Sequence, residues 1–219
     1  GVGPMQSLVF SKYMMFFNVY WHHTTRIATM MFLRAMQDVL SEGLISPAEL
    51  EFSDDQSILL LTLSRARPDS AAAELTQRLL DRRLYKRGVV LQPWDRGYAT
   101  LVALKRDPER RKALEQAWCG ILSRRTGRRL RGYELLLDTP DERSFDVPLE
   151  VLQDWDRSGE PRPVLWENVS GLGAADMNRF HERIQQVRIF ATDAELGAAV
   201  REHCDELLDH VEQLGAVEL

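Results

Sequence analysis

MQSLVFSKYMMFFNVYWHHTTRIATMMFLRAMQDVLSEG, residues Met5 to Gly43, holds no proline and no glycine before its last position. Apolar side chains recur through Leu8, Val9, Met15, Phe16, Val19, Ile27, Met30, Met31 and Leu40, at spacings that gather them along a 3.6-residue helix. The stretch therefore reads as one long helix or two nearly continuous ones. Gly43 ends it, because glycine takes the left-handed backbone of a helix C-terminus without a Cβ penalty. So apolar a helix so near residue 1 reads as the continuation of a longer polypeptide.

Beyond Gly43 the punctuation stays helical. Ser46-Pro47-Ala48-Glu49 offers an N-cap hydroxyl, a proline at the first helical position and a glutamate placed to return the capping bond. Ser53-Asp54-Asp55-Gln56 repeats that logic before Ile58 to Leu63, and Arg67-Pro68-Asp69-Ser70 precedes a further helix reaching about Lys86. After Gly88 the texture changes. Val89 to Leu91 and Tyr98 to Leu104 are β-prone runs separated by Pro93, Asp95 and Gly97, as in a hairpin. A helix is expected from Asp107-Pro108 to Gly127, strands at Tyr133 to Leu137, Ser144 to Val147, Val164 to Trp166 and Val187 to Ala191, and a helix between Ala174 and Gln186. Thr192-Asp193-Ala194-Glu195 caps a last helix ending at Gly215. The fold class is helix-dominated α+β, with a helical block over residues 1–87 and a smaller α+β domain with short antiparallel strands over 88–219.

With 219 residues, 44% of them hydrophobic, the chain can bury a substantial core. Its 28 basic and 33 acidic side chains leave a net charge of -5, which gives no global case for nucleic acid or an anionic membrane. Two cysteines, Cys119 and Cys204, make no disulfide framework and fit a reducing, cytoplasmic setting. The most apolar run, Tyr13 to Trp21, falls well short of the roughly 20 residues that span a bilayer. Charge is nevertheless segregated. Ten basic residues face three acidic ones between Lys105 and Arg131, whereas nine acidic residues face two arginines from Glu134 to Glu160. Such patches pair internally or between subunits. Trp118 alone interleaves the basic run, and single-strand binding wants several aromatics, so nucleic acid is an unlikely partner.

Catalytic motifs are scarce. Of five histidines, the adjacent His22 and His23 point about 100° apart on a helix and do not face one ion. His203 and His210 lie two turns apart among acidic neighbours, as on a solvated helix face. No G-x-x-x-x-G-K-[ST], G-x-S-x-G or H-E-x-x-H occurs.

The segment Phe10 to Arg26 resembles the helix that follows the metal-binding core in HD-domain triphosphohydrolases, a group that includes the dGTPase-like proteins. That family places a basic residue, then a tyrosine eight positions on, then a histidine two further; Lys12, Tyr20 and His22 match it. Asp54-Asp55-Gln56 resembles the family's Asp-Asp helix start. Arg82-Arg83-Leu84-Tyr85-Lys86 resembles its Arg-x-Leu-[Phe/Tyr]-Lys signature, and Tyr133 to Pro140 with Val187 to Ala191 resemble its distal α+β region. The resemblance implies that this chain is the C-terminal portion of such a hydrolase. Lys12 would meet the phosphate tail of a nucleoside triphosphate and Tyr20 its sugar, with His22, His23 and Arg26 adding contacts and charge. On a continuous helix Lys12 and Tyr20 lie about 12 Å apart along the axis and about 80° apart around it.

The family's metal ligands follow the order His, His-Asp, Asp, but no histidine precedes His22 and no His-Asp pair exists. No catalytic residue, metal or other cofactor is expected in this chain, and the divalent metal is expected in an HD portion outside it. The rival reading is a stand-alone regulatory or oligomerisation module that uses the two charge patches as a subunit interface; in either case a homo-oligomer is expected.

Overall fold

The structure, a computed structural model, describes residues 2–140, 150–153, 162–169, 179, 182 and 184–216. The chain is a helix-dominated α+β protein that divides into two compact units. The smaller comprises residues 1–22 and 140–186, the larger 23–139 and 187–219.

The larger unit is built on a three-stranded antiparallel sheet, β1 (Lys86–Leu91), β2 (Leu135–Asp138) and β5 (Val187–Ala191), in the order β1-β5-β2. Strand side chains alternate between faces, and here each face is covered by helices. Leu135, Leu137, Val187, Ile189 and Ala191 join a core supplied by α6 (Tyr98–Ala103), α7 (Pro108–Thr126), α9 (Ala194–Glu202) and α10 (Cys204–Ala216). Leu136 and Phe190 point the other way, into a second core with α2 (His23–Ser41), α4 (Asp55–Arg65) and α5 (Ala71–Leu80). With helices on both sides and a strand on either edge, every residue of β5 is buried. The change of texture at Gly88 falls inside β1.

Local chemistry sets the element ends. Ser46 and Glu49 close a capping box on the short α3 (Pro47–Glu51). Asp54 caps α4 by accepting the Ser57 N–H at 2.7 Å, and Ser70 and Asp193 cap α5 and α9 in the same way. Gly127, at φ 70°, ends α7. Gly88 sits at a bulge between Arg87 and Val89. A Cβ there would come within 3.0 Å of the Ile189 carbonyl and of Val200, so glycine lets β1 lie close to both β5 and α9.

Met5 to Gly43 takes the second of the two forms expected, two nearly continuous helices, with a π-helical turn over Phe16–Tyr20 between α1 (Val2–Met15) and α2, which begins at His23. Other expectations are corrected. Tyr98 to Ala103 is the helix α6, not a strand, and a 3-10 turn continues it over Leu104–Arg106. Tyr98, Leu101 and Leu104 recur every three residues, and burying Leu101 completely outweighs the β propensity of Thr100 and Val102. The helix expected to reach Lys86 stops at Leu80, where Arg82 takes a left-handed backbone (φ 56°). The last helix is two, with His203 as the C-cap between them. Strands at Val164 and Val187 are present. The expected strand 144–147 lies outside the described residues, as does most of the expected helix 174–186.

In the smaller unit the described residues form α1, the π turn, a two-stranded antiparallel pair of β3 (Glu150–Gln153) and β4 (Arg162–Leu165), and the short α8 (Trp166–Val169).

Candidate functional site

Lys12 lies on α1 and is exposed. One residue on, Tyr13 is buried, its ring stacked 6.4 Å from that of Phe17. Tyr20 closes the π turn, half exposed, with its ring edge-on to Phe16 at 5.1 Å. The turn is sealed by the Trp21 N–H donating to the Phe16 carbonyl at 2.8 Å. That bond spans five residues where an α-helix spans four, so one extra residue enters the turn. The rotation assumed for a continuous helix therefore does not hold between Lys12 and Tyr20. His22 follows, exposed, between the π turn and α2. His23 opens α2, and Arg26 is in its first turn. Lys12, Tyr20 and His22 thus belong to the smaller unit and His23 and Arg26 to the larger.

Arg26 is committed to a carboxylate. Its Nε lies 3.2 and 3.1 Å from the two oxygens of Asp138, and its NH2 donates to the same group. Asp138 ends β2 with no solvent exposure and stands directly opposite Arg188 of β5, whose NH1 donates to it at 3.2 Å. Burial pulls the Arg188 guanidinium below its ordinary value, and Asp138 opposes that pull. A second buried cluster lies between α2 and α7. Arg34 donates to Glu115 and, at 3.4 Å, to Asp38; Lys112 reaches Asp38 at 2.6 Å; and the Leu137 N–H donates to Glu115 at 2.8 Å. Burial pushes the Glu115 carboxyl up to about 7, against the lowering effect of Arg34 and of the Leu137 N–H.

Both clusters tie elements of the larger unit together. The Cys119 thiol is pushed up to about 12 by burial, which leaves it protonated and unreactive. Among the described residues no three His, Cys, Asp or Glu side chains come together as a metal site would require. No described helix is long and apolar enough to cross a membrane.

Much of the basic run is paired inside the larger unit. Arg125 binds Glu206, Arg128 binds Glu134 and Asp193, and Arg131 binds Glu74. The Arg82–Lys86 signature also serves the fold: Arg83 N–H returns to the Arg78 carbonyl at 2.8 Å to finish α5, and the buried Tyr85 donates its hydroxyl to the Tyr133 carbonyl at 2.9 Å.

The family described as the HD associated region matches residues 1–147. The chain belongs to that family. Its match takes in Lys12, Tyr20, His22, His23 and Arg26, together with Asp138 and both members of the Arg34–Glu115 pair. A solved structure similar to this HD associated region is that of a phosphohydrolase from Bacteroides thetaiotaomicron, at 15% identity and a TM-score of 0.49. The similarity covers 88% of this chain and 50% of that one, so the chain spans about half the length of that relative. No curated protein matches it.

The buried clusters of this HD associated region escaped the sequence reading, although signals were present. Arg34 and Asp38 keep step with Met30, Met31 and Ala35 on the core face of α2, where a charge is costly unless paired. Asp138 and Arg188 stand in apolar strand runs.

Proposed function

We propose that this HD associated region is the C-terminal part of a metal-dependent HD-domain phosphohydrolase acting on deoxynucleoside triphosphates, and that it is not catalytic alone. The observation that carries this reading is the surface of α1 and the π turn. Leu8 is 63% exposed, Met15 51%, Val19 51% and Phe10 48%, on a stretch whose only charge from Met5 to Tyr20 is Lys12. A helix with large apolar groups open to solvent is built to be covered. The occupant that fits a family defined by its association with HD domains is the HD domain itself, which would bring the divalent metal and its activated water.

In this reading Lys12 reaches the phosphate tail as a point charge, and Tyr20 offers a flat ring and a hydroxyl to the sugar. His22 and His23 add donors, and Arg26 contributes positive charge that it shares with Asp138. In the absence of the HD domain the same apolar surface supports a homo-oligomer, and two cysteines without a disulfide between them suit a cytoplasmic protein.

The test compares this chain with the product of the whole gene, each assayed for bound metal and for phosphate or triphosphate release from dGTP. Turnover is expected only from the latter. Stoichiometric metal together with turnover in the present chain alone would overturn the reading.

A further inference from the structure

The chain passes between its two units three times, after His22, after Thr139 and after Gln186. Each passage leaves the larger unit beside a member of one ion cluster. Arg26 is in the first turn of α2, just past the first passage; Asp138 is the last residue of β2, just before the second; Arg188 is the second residue of β5, just past the third. Both arginines donate to the one Asp138 carboxylate, and Asp138 and Arg188 are direct cross-strand partners. All three groups lie inside the larger unit.

We infer that Asp138 is a common anchor for the three roots from which the chain leaves the larger unit, so that the roots hold or loosen together. The main chain does not impose this coupling. β2 and β5 share a ladder and pack Leu136 and Phe190 in one core with α2. Arg26 adds the polar link from the first turn of α2 to Asp138, and a buried carboxylate with two guanidinium partners resists the loss of either one. Arg26 and Arg188 make further interactions as well. The first root separates His22 from His23, two adjacent residues of the proposed nucleotide site, yet the anchor stands on its own geometry and does not depend on that proposal.

Hydrogen–deuterium exchange of the whole chain tests it. Asp138→Asn keeps the side chain's shape and removes the charge that both arginines share. Exchange is expected to accelerate tenfold or more in three separate stretches, 23–29, 135–139 and 187–191, while α4 and α5 keep their protection. Acceleration confined to β2 would overturn the inference, as would an equal rise throughout the larger unit or no change. Should Asp138→Asn not fold, Arg26→Gln provides the second arm, since Arg26 is the most exposed of the three at 16%. Faster exchange at 135–139 and 187–191, on elements that do not carry the substitution, is then expected, and a change restricted to α2 would refute the common anchor.

Discussion

Arg34 on α2 and Glu115 on α7, 81 residues apart in sequence, form a direct ion pair in the interior of the larger unit. Desolvation nevertheless outweighs the pairing and lifts the Glu115 carboxyl from 4.5 to about 7. Between those values the folded chain holds a proton that the unfolded chain has released, so stability should rise as pH falls from 7 toward 4.5 and be unaffected by this group above 7. The gain is on the order of 3 kcal/mol. Carboxylates held low, such as Glu74 and Asp193, act in the opposite sense, and their contribution is lost as pH drops below about 4. Urea midpoints measured at pH 5.5 and 8 should therefore favour pH 5.5. Glu115→Gln, which cannot ionise, should bring the two midpoints together.

Two glycines near the β1–α9 contact should respond in opposite ways. Gly88→Ala forces a Cβ to within 3.0 Å of the Ile189 carbonyl and Val200, and overpacking of this kind costs about 1–3 kcal/mol. Gly197 lies within α9, where an added Cβ meets nothing nearer than 3.4 Å. Gly197→Ala should then gain roughly 0.5–1 kcal/mol of helix propensity. Thermal melts of both variants provide the comparison, and equal shifts would show that the bulge at Gly88 relaxes freely.

Lys12→Ala reports on the proposed nucleotide contact. Loss of a charge-assisted bond to phosphate should weaken triphosphate binding by about 1.5–3 kcal/mol, tenfold or more. The melting temperature should not move, because Lys12 is exposed. Tyr20→Phe keeps the ring against Phe16 and should lose only about 0.5–1.5 kcal/mol. Titration of a fluorescent deoxynucleotide into the product of the whole gene measures both. Unaltered affinity in Lys12→Ala would make Lys12 an ordinary solvated lysine.

The purified chain should self-associate through the apolar side of α1 and the π turn. Because Arg125, Arg128 and Arg131 are already paired within the larger unit, the association should persist at high salt. Light scattering should show a dimer or larger species, and Phe10→Ser with Val19→Ser should reduce it. A monomer at all concentrations would argue against the apolar surface as an interface.

What the sequence disclosed was mostly local. The capping groups of Ser46, Asp54, Ser70 and Asp107 act on residues three positions away, and a pattern that short is visible in one dimension. Strands β1, β2 and β5 were legible as apolar runs. Hidden were the events that depend on distant partners. The helical fate of Tyr98 to Ala103 is decided by burial of Leu101 among α7 and α10 neighbours. The Arg26–Asp138 bond joins residues 112 apart, and no spacing rule connects them. The π turn was concealed for another reason: its aromatic run, Phe16, Phe17 and Tyr20, satisfies an α-helical pattern almost as well.

The sheet order β1-β5-β2 has a consequence for synthesis. β1 and β2 hydrogen-bond to β5 and not to each other, yet β5 emerges from the ribosome last, after residues 140–186. Until it arrives both earlier strands present open backbone edges, and edges of that kind recruit other chains. Lys86 pairs with Ala191 across more than a hundred residues, a separation that slows closure. Nascent chains stalled before residue 187 should therefore be the aggregating species, and a chaperone that shields β1 and β2 should raise the yield of folded protein more than one acting on the completed chain.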